Sequence, residues 1–94
     1  MDFDSFLKSL EADTPPAGLD ALLEALWWDA RGDWDRAHRI AQDIHTSAAA
    51  WVHAYLHRKE GDLWNAGYWY RQAGREMPDC SLEEEWRRIA KALL

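Results

Sequence analysis

With 94 residues the chain has room for one domain and one modest hydrophobic core. A net charge of −6, from 17 acidic and 11 basic side chains, excludes the clustered positive charge on which nucleic-acid binding depends. A single cysteine excludes a disulfide framework, and no apolar run approaches the roughly 20 residues of a membrane span.

The acidic start, Met1-Asp2-Phe3-Asp4, does not read as a secretory leader, so the expected location is the cytoplasm. Phe3, Phe6, Leu7 and Leu10 recur at i, i+3, i+4 and i+7, which predicts a short amphipathic helix within residues 1–11. Thr14-Pro15-Pro16-Ala17-Gly18 breaks it. Leu19, Leu22, Leu23, Leu26, Trp27 and Ala30 then form a broad helical stripe that ends at Arg31-Gly32. Asp33 is the expected cap of the next helix, whose inner row is Trp34, Ala37, Ala41 and Ile44, with Ile40 alongside. Thr46 or Ser47 caps a third long helix through Val52, Tyr55 and Leu56 to Glu60. After Gly61-Asp62 a fourth carries Leu63, Ala66, Tyr70 and Ala73 inward, and Met77-Pro78 closes it. Ser81-Leu82-Glu83-Glu84 reads as a capping box. Behind it Leu82, Trp86, Ile89 and Leu93 give the last helix an apolar stripe. No stretch shows strand periodicity, so the fold class is all-α, with antiparallel hairpins over a single domain, 1–94.

One phrase occurs twice, 29 residues apart: Gly32-Asp33-Trp34-Asp35-Arg36-Ala37 and Gly61-Asp62-Leu63-Trp64-Asn65-Ala66. Glycine can turn the chain through positive φ, aspartate can cap the new helix, and alanine permits close docking. The phrase is therefore read as the elbow of a helix hairpin. A doubled hairpin with this elbow resembles the tetratricopeptide repeat (TPR). Gly61, Asp62, Ala66, Tyr70, Ala73 and Pro78 stand at that family's spacing, as do Gly32, Asp33, Trp34 and Ala37. Ala41 stands where the family has a larger aromatic, and the period of 29 is shorter than the usual 34 or so. The resemblance implies a right-handed array of two repeats, residues 18–46 and 47–80. Residues 81–94 would be a C-terminal capping helix and 1–13 an N-terminal segment. The pair ALWWDARGDWDRAH and WVHAYLHRKEGD also resembles a small group of bacterial proteins, a likeness that implies no activity.

The same resemblance implies a concave groove lined by Leu22, Leu26, Trp51, Tyr55, Arg58 and Lys59. Leucine and aromatics flanked by cations suit a partner helix or an extended peptide with an acidic or C-terminal carboxylate end. The expected function is a non-catalytic protein–protein interaction module whose partner is a protein or peptide. Two other occupants of the groove are open: residues 1–11 folded back, with Phe3, Phe6 and Leu7 filling it, or a second copy in a homodimer. Of the seven tryptophans, Trp27, Trp34 and Trp86 lie on inward stripes and are read as core, with Trp28 and Trp69 half buried.

His53 and His57 stand four apart on one helix, the spacing that puts two imidazoles on one face. Ala54 follows the first, where a zinc protease needs glutamate, so that mechanism is excluded. His38, His45 or Glu60 could supply a third ligand. A small metal-binding protein or enzyme using His53 and His57 is thus the alternative function, and a self-associating helical protein a third. No phosphate-cradling glycine loop, nucleophile elbow or dinucleotide fingerprint is present. The paired acids Asp33/Asp35 and Glu83–Glu85 sit at helix starts, where the helix dipole accounts for them. The expectation is no enzyme, no cofactor and no metal. Cys80, in a turn beside Asp79, is read as a passive thiol.

Overall fold

The computed structural model describes residues 1–94. Six α-helices follow in order: α1 (Phe3–Ser9), α2 (Ala21–Ala30), α3 (Trp34–Gln42), α4 (Ser47–Glu60), α5 (Leu63–Gln72) and α6 (Leu82–Leu93). There is no strand, and the helices pack antiparallel. No helix is long and apolar enough to cross a membrane.

Local chemistry sets where each helix starts. Asp2, Asp20, Asp33, Thr46, Asp62 and Ser81 each turn a side-chain oxygen onto an N–H of the following first turn. Each such cap satisfies a donor the helix cannot satisfy itself and contributes about 1 kcal/mol. The repeated phrase gives the same elbow twice. Gly32 and Gly61 adopt φ of 88° and 89°. The aspartate N–H after each donates back into the preceding helix, Asp33 to the Trp28 carbonyl at 2.9 Å and Asp62 to the His57 carbonyl at 3.0 Å. Carbonyls left open at the helix end are thereby closed.

Helix α4 is the centre of the molecule. Nine consecutive residues, Ala49 to His57, are buried, and α4 touches α2, α3, α5 and α6. A helix buried on every side must be apolar or internally paired all round. Here two histidines fall within the buried run. Against α4 lie α3 and α5, the second helices of the two hairpins.

The last helix is where the architecture departs most from the sequence reading. Residues 81–94 were expected to cover the end of a row of hairpins, and residues 1–11 were the candidate filler of the groove. Instead α6 packs across α2 and α4 together. Its Trp86 is buried and donates from Nε1 to the Leu26 carbonyl at 3.0 Å. α1 lies behind, with the fully buried Phe6 ring stacked 5.8 Å from Trp86. The stripe of α6 needed an apolar face to cover, and the first helices of the hairpins supply the broadest one.

A smaller correction concerns α5. Ala66 and Tyr70 are buried, with Trp69 and Ala73 partly so, but Leu63 is exposed. At 100° per residue those four residues define an arc whose centre lies about 70° from Leu63. Trp64 and Tyr68 fall farther round and are also exposed. Among the tryptophans expected in the core, Trp27 and Trp86 are buried; Trp34 is half-buried and donates from Nε1 to the Leu56 carbonyl at 2.8 Å.

Candidate functional site

His53 and His57 share the face of α4 that meets α3, and α3 sets His38 against them. The Nε2 atoms of His38 and His53 are 2.9 Å apart, one ring donating and the other accepting. Ring nitrogens of all three histidines lie within 4.8 Å of one another. His53 and His57 are buried and His38 is half-buried. Two indoles hold the rings in place: Trp34 stacks on His38 with centroids 4.9 Å apart, and Trp69 stacks on His53 at 4.0 Å.

The third ring is fixed by hydrogen bonds. His57 Nδ1 lies 2.6 Å from Glu60 Oε1. A carboxylate at that distance accepts a hydrogen bond from Nδ1–H and leaves Nε2 as the ring's acceptor. The Asn65 side-chain amide nitrogen is 3.4 Å from that Nε2. Burial is the main cause that pulls His53 down to about 4, with His38 and His57 adding to it. Burial also lowers His38, reinforced by His57 and opposed by Glu60 and Asp35. Both rings are therefore neutral near pH 7 and keep a lone pair to offer.

This donor set has the composition of a transition-metal site. Imidazole nitrogens suit zinc, copper or nickel, whereas magnesium and calcium take oxygen ligands. Tetrahedral zinc at 2.0–2.1 Å from each nitrogen needs ligand atoms about 3.3 Å apart. The His38 and His53 nitrogens, at 2.9 Å, stand somewhat closer than that, and all three rings offer a nitrogen within 4.8 Å of the others. Of the third ligands considered from sequence, His38 joins the pair, Glu60 holds His57 from outside, and His45 is exposed and apart from the cluster.

The six groove residues read from the sequence lie on α2 and α4, and α6 packs against both helices. Leu22, Leu26, Trp51 and Tyr55 are buried. Arg58 bonds Glu85 Oε1 at 2.8 Å and also donates to the Cys80 carbonyl. Lys59 pairs with Asp29 Oδ1 at 3.0 Å. The carboxylates that meet these cations are thus the protein's own. What stays open beside them is a cleft of about 340 Å³ lined by Leu7, Leu10, Tyr55, Lys59, Leu82 and Trp86, among others.

Two acids are buried in roles that the sequence reading did not assign them: Asp29, and Glu85, which was read only as a charge at a helix start. Glu85 accepts from the Tyr70 hydroxyl, Trp51 Nε1 and Arg58. Asp29 accepts from the Tyr55 hydroxyl at 2.9 Å and from Lys59. Burial, then the adjacent Asp29, pushes the Tyr55 phenol far above its ordinary range. Burial and the hydrogen bond to Glu85 do the same to Tyr70. Burial alone would lower Arg58, but Glu85 outweighs it and the guanidinium is held more firmly charged. A signal for Glu85 was present: it falls three residues after Leu82 and four before Ile89, on the flank of the apolar stripe. Trp34 stands four residues before His38 on one helix, a spacing legible in the sequence; Trp69 and Asn65 carried no such signal for a place beside the histidines.

No family model, no curated protein and no solved structure matches this chain.

Proposed function

We propose that the protein binds one divalent first-row transition-metal ion, zinc being the reference, through His38, His53 and His57. The scaffold is read as two TPR-like hairpins, α2–α3 and α4–α5, with α6 laid along their inner face. The observation that carries the proposal is the convergence of three ring nitrogens within 4.8 Å, drawn from two helices. Supporting it, Glu60 bonds the outer nitrogen of His57, the arrangement that orients and strengthens a histidine ligand. Two rings kept neutral by burial need only a change of tautomer, in whichever ring donates across the His38–His53 contact, before a metal binds.

The test is a zinc titration of chelator-stripped protein by calorimetry, with cobalt(II) absorption reporting geometry. Wild type is expected to bind one equivalent with a dissociation constant of about 1 μM or tighter. His38→Ala and His57→Ala, each checked for helicity by circular dichroism, are expected to weaken it by about 100-fold or more. No heat with wild type, or equal affinity in both folded variants, refutes the proposal.

A second reading, the protein–protein interaction module, is favoured by the outer face of α5. Trp64 is 81% exposed, beside the exposed Leu63 and Tyr68. Large aromatics contribute most to interface energies. The occupant would be the apolar face of a partner's helix or peptide. Solution mass with and without Trp64→Ser separates that from self-association: a dimer lost in the variant assigns the patch to a second copy of this chain.

A further inference from the structure

The metal reading leaves a question at the cluster: three imidazoles make three ligands, and a tetrahedral ion wants four. Glu60 is not the fourth, because it lies on Nδ1 of His57, the far side of the ring from the lone pair a metal would take. The nearest other polar group to that lone pair is the amide of Asn65. Asn65 is half-buried, as is His38, so this edge of the cluster meets solvent.

Resting on that metal-binding reading, we infer that the ion keeps its fourth position for an exchangeable small anion or water, and that Asn65 hydrogen-bonds whatever occupies it. The logic is one of donors and acceptors. With Nδ1–H given to Glu60, His57 Nε2 is an acceptor, and the Asn65 N–H faces it at 3.4 Å. A metal that takes the Nε2 lone pair removes that acceptor. The Asn65 N–H is then left pointing beside the ion, where the fourth ligand is the acceptor within reach. Three neutral ligands place no negative charge on the ion itself, Glu60 lying one ring away, so an anion is favoured over a neutral ligand. Sites with three protein ligands and one open position are those in which zinc polarises or activates what it binds, whereas structural sites are closed by four. Asn65 is a positioning residue here, since it acts on the bound ligand and not on the metal.

The experiment uses the full chain loaded with cobalt(II) and titrated with azide, following the visible absorption bands. A saturable spectral change is expected in wild type. Asn65→Ala is expected to weaken azide about tenfold or more, the loss of one hydrogen bond to a charged group. Its cobalt affinity is expected to stay within about threefold, a split that a merely structural role for Asn65 would not give. Asn65→Gln, which keeps the amide, serves as the rescue variant. A cobalt spectrum that ignores azide overturns the open position and leaves metal binding standing. Azide affinity equal in wild type and Asn65→Ala overturns the role of Asn65. Absence of any cobalt spectrum overturns both this inference and the reading it rests on.

Discussion

Replacing Glu85 by alanine should cost the protein a large part of its stability. The carboxylate is 1% exposed and ties three helices together. From α6 it accepts Arg58 Nη1 at 2.8 Å and Trp51 Nε1 at 3.2 Å, both on α4, and the Tyr70 hydroxyl at 2.6 Å, on α5. Removing one partner of a buried ion pair costs about 3–5 kcal/mol, because the other charge stays buried without compensation. Each orphaned hydroxyl or indole donor costs about 1–3 kcal/mol more when no water reaches it. The Arg58 side chain keeps 15% exposure and the Cys80 carbonyl, which moderates the loss. A net cost of about 4 kcal/mol is expected, against a total of roughly 5–14 kcal/mol for a domain of this length. At about 4–8 °C per kcal/mol, Tm should fall by roughly 15–30 °C. Urea unfolding followed by tryptophan fluorescence measures it. The triple variant Arg58→Met, Tyr70→Phe, Glu85→Leu removes all the charges and the hydroxyl together and should recover most of the loss. An E85A variant within 1 kcal/mol of wild type would refute the claim that this carboxylate is a buried structural hub.

Two glycines should respond in opposite directions. Gly61→Ala forces a side chain into φ of 89° and should cost about 1–2 kcal/mol. Gly67→Ala sits inside α5, where the new Cβ meets only an ordinary contact with Arg71 at 3.6 Å, and should stabilise by about 0.5–1 kcal/mol; thermal melts read both. The raised phenols of Tyr55 and Tyr70 keep their protons in the folded state while the unfolded chain loses them above about pH 10. Stability should therefore fall as pH rises past that point, by about 1.4 kcal/mol per pH unit for each phenol. In a Tyr68→Phe background, which removes the one exposed phenol, phenolate absorbance should appear only together with unfolding; absorbance that precedes the fluorescence change contradicts this. Phe6→Ala, at a fully buried position stacked on Trp86, should cost about 3–5 kcal/mol in urea unfolding. A near-neutral result would mean that α1 does not contribute to the core.

The amino-acid sequence by itself determined what depends on neighbours within a few residues. Helix identities, the Asp33, Asp62 and Ser81 caps and both glycine elbows are local chemistry, and each is found where the residues predict it. The i, i+4 pair His53 and His57 was legible for the same reason. Only the tertiary structure decided which surfaces meet. An apolar stripe states that a face will be covered and carries no address, so α6 could be read as an end cap although it lies across α2 and α4. Arg58 and Lys59 likewise read as free cations until the fold brought Glu85 and Asp29 from more than twenty residues away. His38 could be named as a third ligand but not chosen over His45, because the choice depends on how α3 docks against α4. Burial then adds what no periodicity encodes: the same contact that packs these helices strips water from two imidazoles and holds them neutral.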